Sequence, residues 1–225
     1  GEGRIDALAF NDHLPHIRRY RENFDKMSVY AGRSGMSLDE FLVLFDKVAI
    51  AAEEGQDPGI ERLAEAARGA GVPMLSHDDA GEDVRLRFHN LGCRIAEFPM
   101  GDKTAAAAKA LGDPIVLGAP NVVRGGSHTG LQSAAESAAK GLCDVLASDY
   151  YYPALMHAPF ILANQGKLPL PEAWMLVSTN AADALGLKDR GRIQVGQRAD
   201  IVIVSDEGPI PTLKATIAAG RLCSI

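Results

Sequence analysis

The sequence predicts an α/β fold in which helices cover a parallel sheet and a small β appendage follows towards the C-terminal end. Two features of the chain lead to this prediction. Short apolar runs that indicate strands alternate with helical stretches at intervals of a few tens of residues, and this alternation is typical of parallel βα units. Beyond Gly191 the chain instead alternates apolar and polar residues and contains a hairpin turn signal at Ala219 and Gly220.

The overall composition and charge restrict the class of protein and its partners. A chain of 225 residues can bury a full core, so we expect one domain, or one domain with a small appendage. The formal net charge of −6 argues against a nucleic-acid surface, which requires clustered basic residues. The three cysteines lie far apart and indicate neither a disulfide framework nor a cysteine zinc site. No apolar run approaches the roughly 18 residues that a membrane span needs, and no signal peptide opens the chain, so we expect a cytoplasmic protein without membrane or nucleic-acid partners.

The first part of the chain is expected to contribute a strand and a basic helix. Residues 5–10 form an apolar run that indicates a strand, and His13 lies among the polar residues that follow it. Residues 16–27 are rich in arginine, including Arg18, and predict a helix. Because most basic helical stretches are solvated helix faces, this segment by itself does not identify a binding site.

Two helices are expected next. Ser37 and Glu40 form a capping box in front of an apolar stripe, which predicts the start of a long helix. Asp57 and Pro58 predict the start of a second helix, because proline is favoured in the first helical turn. Gly71 predicts the end of that second helix.

Four strand–helix units then follow in regular order. Each strand is a short apolar run, and the four runs are residues 72–76, 93–96, 115–117 and 144–147. Several helices are expected between and after these strands, at about residues 84–91, 102–111, 131–140, from Pro153 onwards, past Trp174 and over residues 180–187. The helices would cover the faces of a parallel sheet.

The stretch from 114 to 130 combines a buried strand with a predicted loop that is rich in ligand-binding residue types. Five residues of the loop are candidates for contact with a substrate: Asn121, Arg124, Gly125, Gly126 and His128. The two glycines allow a close approach of the backbone to a ligand, and Arg124 can bind two phosphate oxygens at once. An ordinary βα connection, whose glycines only turn the chain, explains the same residues.

Polar residues that can bind metal or transfer protons follow all five predicted strands. They are His13, His77, Glu97, Asn121 with His128, and Asp149. The carboxyl ends of parallel strands lie on one face of the fold, where active sites are built. Histidine nitrogens and carboxylate oxygens suit a catalytic Zn²⁺ or a similar divalent ion, with Asp149 as the base that accepts the proton of the attacking water. Each residue taken alone also fits a helix cap or a simple hydrogen-bonding role.

Several neighbouring residues allow two interpretations. Asp78 and Asp79 precede a helix, so they are expected to cap it, with orientation of His77 as the alternative. His89 lies in the middle of a predicted helix and is expected at the surface. The three tyrosines at 150–152 could contact a ribose or base, or could pack at the rim of the fold.

The C-terminal part of the chain resembles the amidohydrolase superfamily. The segments that carry this resemblance are residues 178–182, 185–187, 191–193 and 196–202. Further segments resemble the phosphonate-metabolism member of the superfamily, which works in the carbon–phosphorus lyase pathway: NDH at 11–13, SHDD at 76–79, AEFP at 96–99, GAPNVVRGGSHTG at 118–130 and SDY at 148–150. Together these segments span essentially the whole chain.

The resemblance implies a metal-dependent, TIM-like (β/α) barrel with a small β-sandwich. Residues 1–190 would hold an incomplete barrel, about strands 4–8, and residues 191–225 would form the C-terminal part of the sandwich domain. The implied activity is the release of diphosphate from α-D-ribose 1-methylphosphonate 5-triphosphate by metal-activated water. The expected cofactor is a divalent metal, Zn²⁺ first, with Mn²⁺ or Fe as alternatives.

The resemblance also implies roles for individual residues. His77 and Asp149 fall on metal-binding positions, and Asp149 also handles the proton of the water. Glu97 stands where many relatives have a second histidine, and His13 lies near a position usually filled by a bridging lysine or glutamate. Arg18, Arg124 and His128 become candidates for binding the triphosphate, and Asn121, Gly125 and Gly126 remain candidates for contact with the substrate.

One departure from the superfamily pattern affects the expected activity. The H-x-H pair of the first barrel strand has no counterpart in the sequence, so we expect the chain to be the C-terminal portion of a longer protein. Two alternatives to the diphosphatase stay open: an amidohydrolase that acts on a C–N bond of a cyclic amide, imide or deaminase substrate, and a truncated, inactive, oligomerising fragment. The expected partners are a phosphorylated ribosyl phosphonate and a second copy of the chain in a homodimer.

Overall fold

The computed structural model describes residues 5–11, 18, 20–126, 133–208 and 210–224. For residues 53–56 and 224 it describes the backbone alone. These residues form two sheets. One is a five-stranded parallel sheet, and the other is a three-stranded antiparallel sheet near the C-terminal end. The predicted α/β fold with a parallel sheet and a β appendage is therefore confirmed.

The parallel sheet keeps the order of its strands along the chain. Its strands are β1 Leu8–Phe10, β2 Met74–His77, β3 Ile95–Glu97, β4 Ile115–Gly118 and β5 Val145–Ala147, and each pairs in parallel with the next. Sequential order without a crossover places every connecting segment between neighbouring strands. The carboxyl ends of all five strands consequently lie along one edge of the sheet.

Helices connect the strands and follow the last of them. Before β5 they are α1 Phe24–Arg33, α2 Leu38–Gly69, α3 Glu82–Leu91, α4 Asp102–Ala110, α5 Ala119–Arg124 and α6 Ala134–Ala139. After β5 they are α7 Ala154–Asn164, α8 Leu170–Met175 and α9 Thr179–Ala184. The predicted capping box is confirmed at the start of α2, where the Ser37 and Glu40 side chains each accept a hydrogen bond from the other residue's backbone N–H. No helix within the described part of the chain has the length and apolar character of a membrane span.

Two helix boundaries differ from the prediction. The second helix expected at Asp57 is wrong, because α2 runs without a break from Leu38 to Gly69 and contains Pro58 in its interior. Proline removes one backbone donor and crowds the preceding turn, yet residues on both sides of it pack: Phe45 before it and Ala64 after it are buried. The basic helix expected over 16–27 is interrupted: Arg18 is helical, residues 20–22 form a turn, and α1 begins after Asn23, whose side chain accepts a hydrogen bond from the backbone N–H of Lys26. Residues 16, 17 and 19 of that prediction lie outside the described residues.

The two faces of the parallel sheet pack against different parts of the chain. One face contributes its side chains to two clusters with the surrounding helices, and these side chains are Phe10, Met74, Ala96, Ile115, Leu117 and Leu146. The opposite face carries a smaller cluster of Leu75, Ile95, Val116 and Val145, which packs with Ala181 and Ala184 of α9. Side chains alternate between faces along a strand. His77 therefore shares the second face with Leu75, and Glu97 shares it with Ile95.

The antiparallel sheet forms the predicted appendage. Its strands are β6 Ile201–Ser205, β7 Thr212–Ala218 and β8 Arg221–Ser224. Ala219 and Gly220 have φ values of 50° and 75° and connect β7 to β8, which confirms the predicted hairpin turn. The Thr179 hydroxyl donates to the Gly191 carbonyl at 2.6 Å, and this bond links α9 to the segment that leads into the appendage.

Candidate functional site at the strand ends

The carboxyl edge of the parallel sheet concentrates backbone strain. Asp78, Phe98 and Asp149 follow β2, β3 and β5, and they have φ values of 57°, 52° and 48°. Among the described residues that are not glycine, Ala219 in the hairpin turn alone shares this left-handed conformation. Such a conformation costs on the order of 1–3 kcal/mol for each residue and clusters at functional sites. The strain therefore points to this edge of the sheet.

His77 and Glu97 lie side by side at this edge. They are directly paired across β2 and β3, so their side chains project from the same face of the sheet. Nδ1 of His77 lies 3.2 Å from Oδ2 of Asp78. The Phe98 ring meets the His77 ring edge-on, with 5.1 Å between ring centroids. The imidazole is thus held by a carboxylate and by an aromatic ring.

The acidic residues at this edge influence one another and His77. The contact with Asp78 raises the pKa of His77, burial opposes this change, and the charges of Glu97 and Asp149 raise it further. Burial is the main cause that raises the pKa of Glu97, His77 lowers it, and the charges of Asp78 and Asp149 raise it. A half-buried group of carboxylates with one imidazole would be stabilised by additional positive charge.

Asp149 approaches the same cluster across the end of β4. A methyl group placed on Gly118 would lie 3.6 Å from Oδ2 of Asp149 and 3.6 Å from Cε1 of Phe98. The Asp149 carboxylate and the Phe98 ring therefore flank Gly118. The strand end of β4 contributes no side chain to the site at this position, and an added methyl group would be in ordinary van der Waals contact with both groups.

The donor types at this edge suit a divalent cation, but they do not complete a ligand set. Imidazole and carboxylate groups are common ligands of Zn²⁺. Across the described ranges of the chain, no group of three or more His, Cys, Asp or Glu residues is placed to hold an ion. His13, the fourth predicted ligand, lies outside the described residues. Metal binding by His77, Glu97 and Asp149 stays a prediction.

The segment after β4 differs from the predicted loop. Residues Ala119–Arg124 form helix α5, with Pro120 in its first turn and Val122 buried in the core. Gly125 has a φ of 82° and ends the helix, and the Gly126 N–H donates to the Asn121 carbonyl at 3.0 Å. The loop prediction for 119–124 is wrong because burial of Val122 and favourable residues at both helix ends stabilise a short helix.

The polar residues of α5 have partners within the protein. Arg124 donates to the Tyr150 hydroxyl at 2.7 Å and, through Nε and Nη2, to the Gly126 carbonyl at 3.3 Å. Oδ1 of Asn121 accepts from the backbone N–H of Ala134 at 2.9 Å and so connects α5 to α6. Arg124 therefore reaches the residue next to Asp149. Substrate binding by these residues and by Gly125 stays a prediction.

Two further candidates for triphosphate binding lie elsewhere or outside the described chain. Arg18 donates from Nη2 to the Ala49 carbonyl of α2 at 2.5 Å. This bond gives Arg18 a role in attaching its segment to α2, and its predicted contact with a substrate is untested. His128 lies outside the described residues.

The expectation that Asp79 caps α3 is wrong. Gly81 is the N-cap residue of α3, whereas Oδ2 of Asp79 accepts from the Ser76 hydroxyl at 2.6 Å and from Arg85 Nη1 at 3.1 Å. A buried cationic partner such as Arg85 outcompetes a helix cap, because it neutralises the carboxylate in a place without solvent. For Asp78 the structure supports the alternative interpretation, since its carboxylate lies against His77.

Sequence reasoning also missed or misplaced other residues around the site. His89 is half-buried rather than at the surface, and its Nδ1 lies 2.8 Å from Oδ2 of Asp113. Phe98 and Gly118, which shape the space between His77 and Asp149, were not singled out. The AEFP and GAPN segments contain them, but no residue type reveals a positive φ at a phenylalanine or the approach of two distant side chains to a glycine.

Comparisons with known sequences place this geometry in context. Residues 18–221 match the sequence profile described as the amidohydrolase family. The alpha-D-ribose 1-methylphosphonate 5-triphosphate diphosphatase of Escherichia coli (strain K12) is 36% identical over 201 residues, which are 88% of this chain and 53% of that protein. An imidazolonepropionase of Maricaulis maris (strain MCS10) is 28% identical over 205 residues, covering 80% of this chain and 50% of that protein. The chain thus spans about half the length of the curated relatives it matches.

Solved structures support the fold. A prolidase complexed with N-methylphosphonate-L-proline superposes with a TM-score of 0.54 at 20% identity, over 73% of this chain and 48% of that one. An adenosine deaminase from Xanthomonas campestris with bound zinc superposes with a TM-score of 0.53 at 15% identity, over 83% of this chain and 56% of that one. At these identities the likeness concerns the fold alone, and it agrees with the predicted portion of a TIM-like barrel.

Proposed function

The chain belongs to the amidohydrolase family, and from this premise we propose that it forms part of a metal-dependent hydrolase that releases diphosphate from α-D-ribose 1-methylphosphonate 5-triphosphate. The observation that carries the reaction class is the pairing of His77 with Glu97 at the sheet edge, together with their electrostatic coupling to Asp149. The sequence identity of 36% to the diphosphatase supports the choice of this substrate.

The proposed chemistry uses a divalent cation, with Zn²⁺ as the first candidate and Mn²⁺ or Fe as alternatives. His77, Glu97 and Asp149 would hold it together with further donors, His13 among those predicted. When bound, such a cation supplies Lewis-acid activation of water and of a phosphoryl oxygen. The half-buried carboxylates fit this proposal, because burial raises the pKa of Glu97 and a nearby cation would reverse that penalty.

The residues of the chain itself have distinct tasks in this proposal. Asp149 accepts a proton from the attacking water, since its left-handed backbone sets the carboxylate beside Gly118, where β4 contributes no side chain. Asp78 and Phe98 hold the imidazole of His77 in one orientation. These contacts limit the motion of the groups that must align with a phosphorus atom.

Arg124 is the proposed contact for the transferred phosphates. Its bonds to the Gly126 carbonyl are 3.3 Å long, and a phosphate oxygen can replace a neutral carbonyl as the better acceptor for a guanidinium. The Tyr150 hydroxyl, which accepts from Nη1 at 2.7 Å, keeps the guanidinium next to the Asp149 segment. Binding of the triphosphate would then exchange bonds to a neutral carbonyl for bonds to charged phosphate oxygens.

The test is the release of diphosphate from this substrate by the full-length gene product. Asp149→Asn should lower kcat by about 10²-fold or more, because general base catalysis contributes on this order. Asp206→Asn, at an exposed position, serves as the matched control and should retain the wild-type rate. An Asp149→Asn protein that is folded and as active as the wild type contradicts the proposal.

A second candidate function is hydrolysis of a C–N bond in a cyclic amide. The similarity to an imidazolonepropionase favours it. One purified preparation, assayed with the ribosyl triphosphate and with an imidazolone propionate, separates the two functions. If turnover occurs only with the imidazolone, the diphosphatase proposal is wrong and the family assignment stands.

The third possibility is a non-catalytic fragment that associates with itself. Metal analysis and activity assays on the purified chain test it. Less than about a tenth of an equivalent of metal and no activity with added Zn²⁺ or Mn²⁺ would favour this alternative over both hydrolases. A dimer in light scattering is expected for any of the three and decides nothing between them.

A further inference from the structure

A fully buried arginine lies behind the two strand ends that carry His77 and Glu97. Arg85 of α3 has 0% of its surface exposed. Its Nη1 donates to the Ser76 hydroxyl at 2.7 Å and to Oδ2 of Asp79 at 3.1 Å, and its Nη2 donates to the Cys93 carbonyl at 2.8 Å. Oδ2 of Asp113 lies 3.6 Å from its Nε. A buried guanidinium needs this number of partners to offset its lost hydration.

The partners of Arg85 belong to both strands of the site. Ser76 directly precedes His77 in β2, and the carbonyl of Ile95, two residues before Glu97 in β3, lies 3.4 Å from Nη1 of Arg85. One planar side chain thus contacts the end of β2, the turn after it and the start of β3. Movement of β2 along β3 would break several of these contacts at once.

The turn after β2 is fixed to β3 by backbone bonds of its own. The Asp78 N–H donates to the Glu97 carbonyl at 3.0 Å, and the Met100 N–H donates to the Asp79 carbonyl at 2.9 Å. Arg85 supports this turn from its buried side through the Asp79 carboxylate. The turn therefore has backbone bonds to β3 and a charged support from α3.

We propose that Arg85 is a positioning residue, which holds the turn at residues 76–79 against β3 so that His77 stays in contact with Phe98 and opposite Glu97. The planar guanidinium is essential to this role, because a lysine ammonium has the charge but cannot reach these partners in the same fixed geometry. The proposal rests on the proposed function only where it concerns metal binding. Its structural part concerns the orientation of the His77 ring.

A purely stabilising role for Arg85 makes a different prediction. Buried ion pairs often contribute little net stability compared with apolar replacements, and a stabilising role would change only the free energy of unfolding. A positioning role also changes the surroundings of the His77 ring in protein that is still folded. The NMR signal of that ring reports these surroundings, because the edge-on Phe98 ring shifts it away from the position of a free histidine.

The experiment compares Arg85→Lys with Arg87→Lys in protein selectively labelled at histidine. Arg87 lies on the same helix, is 45% exposed and pairs with Asp57, so it is a matched control for the substitution. The His77 signal is assigned by its loss in His77→Gln. We expect Arg85→Lys to move this signal towards the free-histidine position and to weaken Zn²⁺ binding by about 10- to 100-fold, as loss of an orienting partner does. Arg87→Lys should change neither.

Each outcome bears on the proposal. A folded Arg85→Lys protein with an unmoved His77 signal overturns it, whatever its unfolding temperature. If Arg85→Lys does not fold, Ser76→Ala is used instead, because it removes one acceptor of Arg85 and keeps the ion pair between Arg85 and Asp79. A smaller shift of the His77 signal in the same direction supports the proposal, and no shift overturns it. If the wild type binds no Zn²⁺, the proposed function fails separately, and the His77 signal still decides the role of Arg85.

Discussion

The two halves of the candidate site are built in opposite ways. The β2–β3 wall consists of His77, Glu97 and the turn at 76–79, and it rests on a network of buried charges around Arg85. The β4–β5 wall consists of α5 with Arg124 and of Tyr150 beyond β5, and its contacts are exposed. Tyr150 is 64% exposed, whereas Arg85 is fully buried.

This difference indicates that the two walls have different roles. Groups that must hold a reacting centre in fixed geometry are supported from the protein interior, where low dielectric makes each contact strong. Groups that bind a flexible, highly charged triphosphate need water access and exchangeable partners. We therefore expect substitutions in the β2–β3 wall to change stability, and substitutions in the β4–β5 wall to change substrate affinity with little effect on stability.

The largest expected effect follows from removing the charge of Arg85. Arg85→Met leaves Asp79 and Asp113 buried without their cation, so we expect it to lower the free energy of unfolding by about 3–5 kcal/mol. Arg87→Met should lower it by less than about 1 kcal/mol, because exposed ion pairs contribute little. Urea unfolding followed by circular dichroism measures both. A loss below about 1 kcal/mol for Arg85→Met would remove the distinction between the two walls.

The same substitution has a predictable pH dependence. Burial raises the pKa of Asp79 in the folded wild type, against the lowering effects of Ser76 and Arg85. A folded pKa above the unfolded one means that the native state binds more protons, so stability falls as pH rises from the ordinary aspartate pKa through the raised one. Without Arg85 this fall should be steeper. The destabilisation by Arg85→Met should therefore be larger at neutral pH than near pH 4.

The third prediction concerns the closure of the β2–β3 wall to solvent. Burial raises the pKa of Cys93 to about 12, and the backbone carbonyl of Cys93 is bonded to Arg85. Cys223 is exposed in β8. Since the thiolate is the reactive form, Cys93 should react with a disulfide reagent at pH 8 about 10³-fold more slowly than Cys223. Comparable rates, assigned by mass spectrometry, would show that this wall opens readily.

The smallest expected effect on stability belongs to the β4–β5 wall. Arg124→Ala should change the free energy of unfolding by less than about 0.5 kcal/mol, since its contacts with the described residues are exposed. It should raise KM for the triphosphate about tenfold or more, the size of a lost charge-assisted hydrogen bond. Tyr150→Phe, which removes the hydroxyl but keeps the ring, should have a milder effect of the same kind. An unchanged KM in Arg124→Ala would exclude this residue from substrate binding.

Local patterns in the sequence were sufficient for much of the fold. Short apolar runs bounded by polar residues identified the five parallel strands, and Ser37 with Glu40 located the start of α2. The polar residues at the strand ends were identified for the same reason, because parallel topology brings the strand ends to one edge. These inferences depend on neighbours in sequence and on a general rule of parallel sheets.

The parts that could not be predicted depend on buried partners, on packing or on backbone conformation. Asp79 has the position of a helix cap, but its buried partner Arg85 decides its role. Pro58 has the position of a helix start, but packing on both sides keeps α2 continuous. Phe98 shows no sign in its residue type of the positive φ that sets its ring against His77. In contrast, α5 could have been predicted, because Pro120 favours a helix start and Gly125 favours a helix end.

The central claim is that the strand-end cluster around His77 is the reaction centre and binds a divalent cation. The most direct measurement is the affinity for Zn²⁺, determined by competition with a chromophoric chelator, in the wild type, in His77→Gln and in Asp206→Asn. Asp206 is a suitable control because it is exposed and follows β6 of the antiparallel sheet. The account predicts a loss of about tenfold or more in His77→Gln and wild-type affinity in Asp206→Asn. Equal affinity in all three proteins would contradict it.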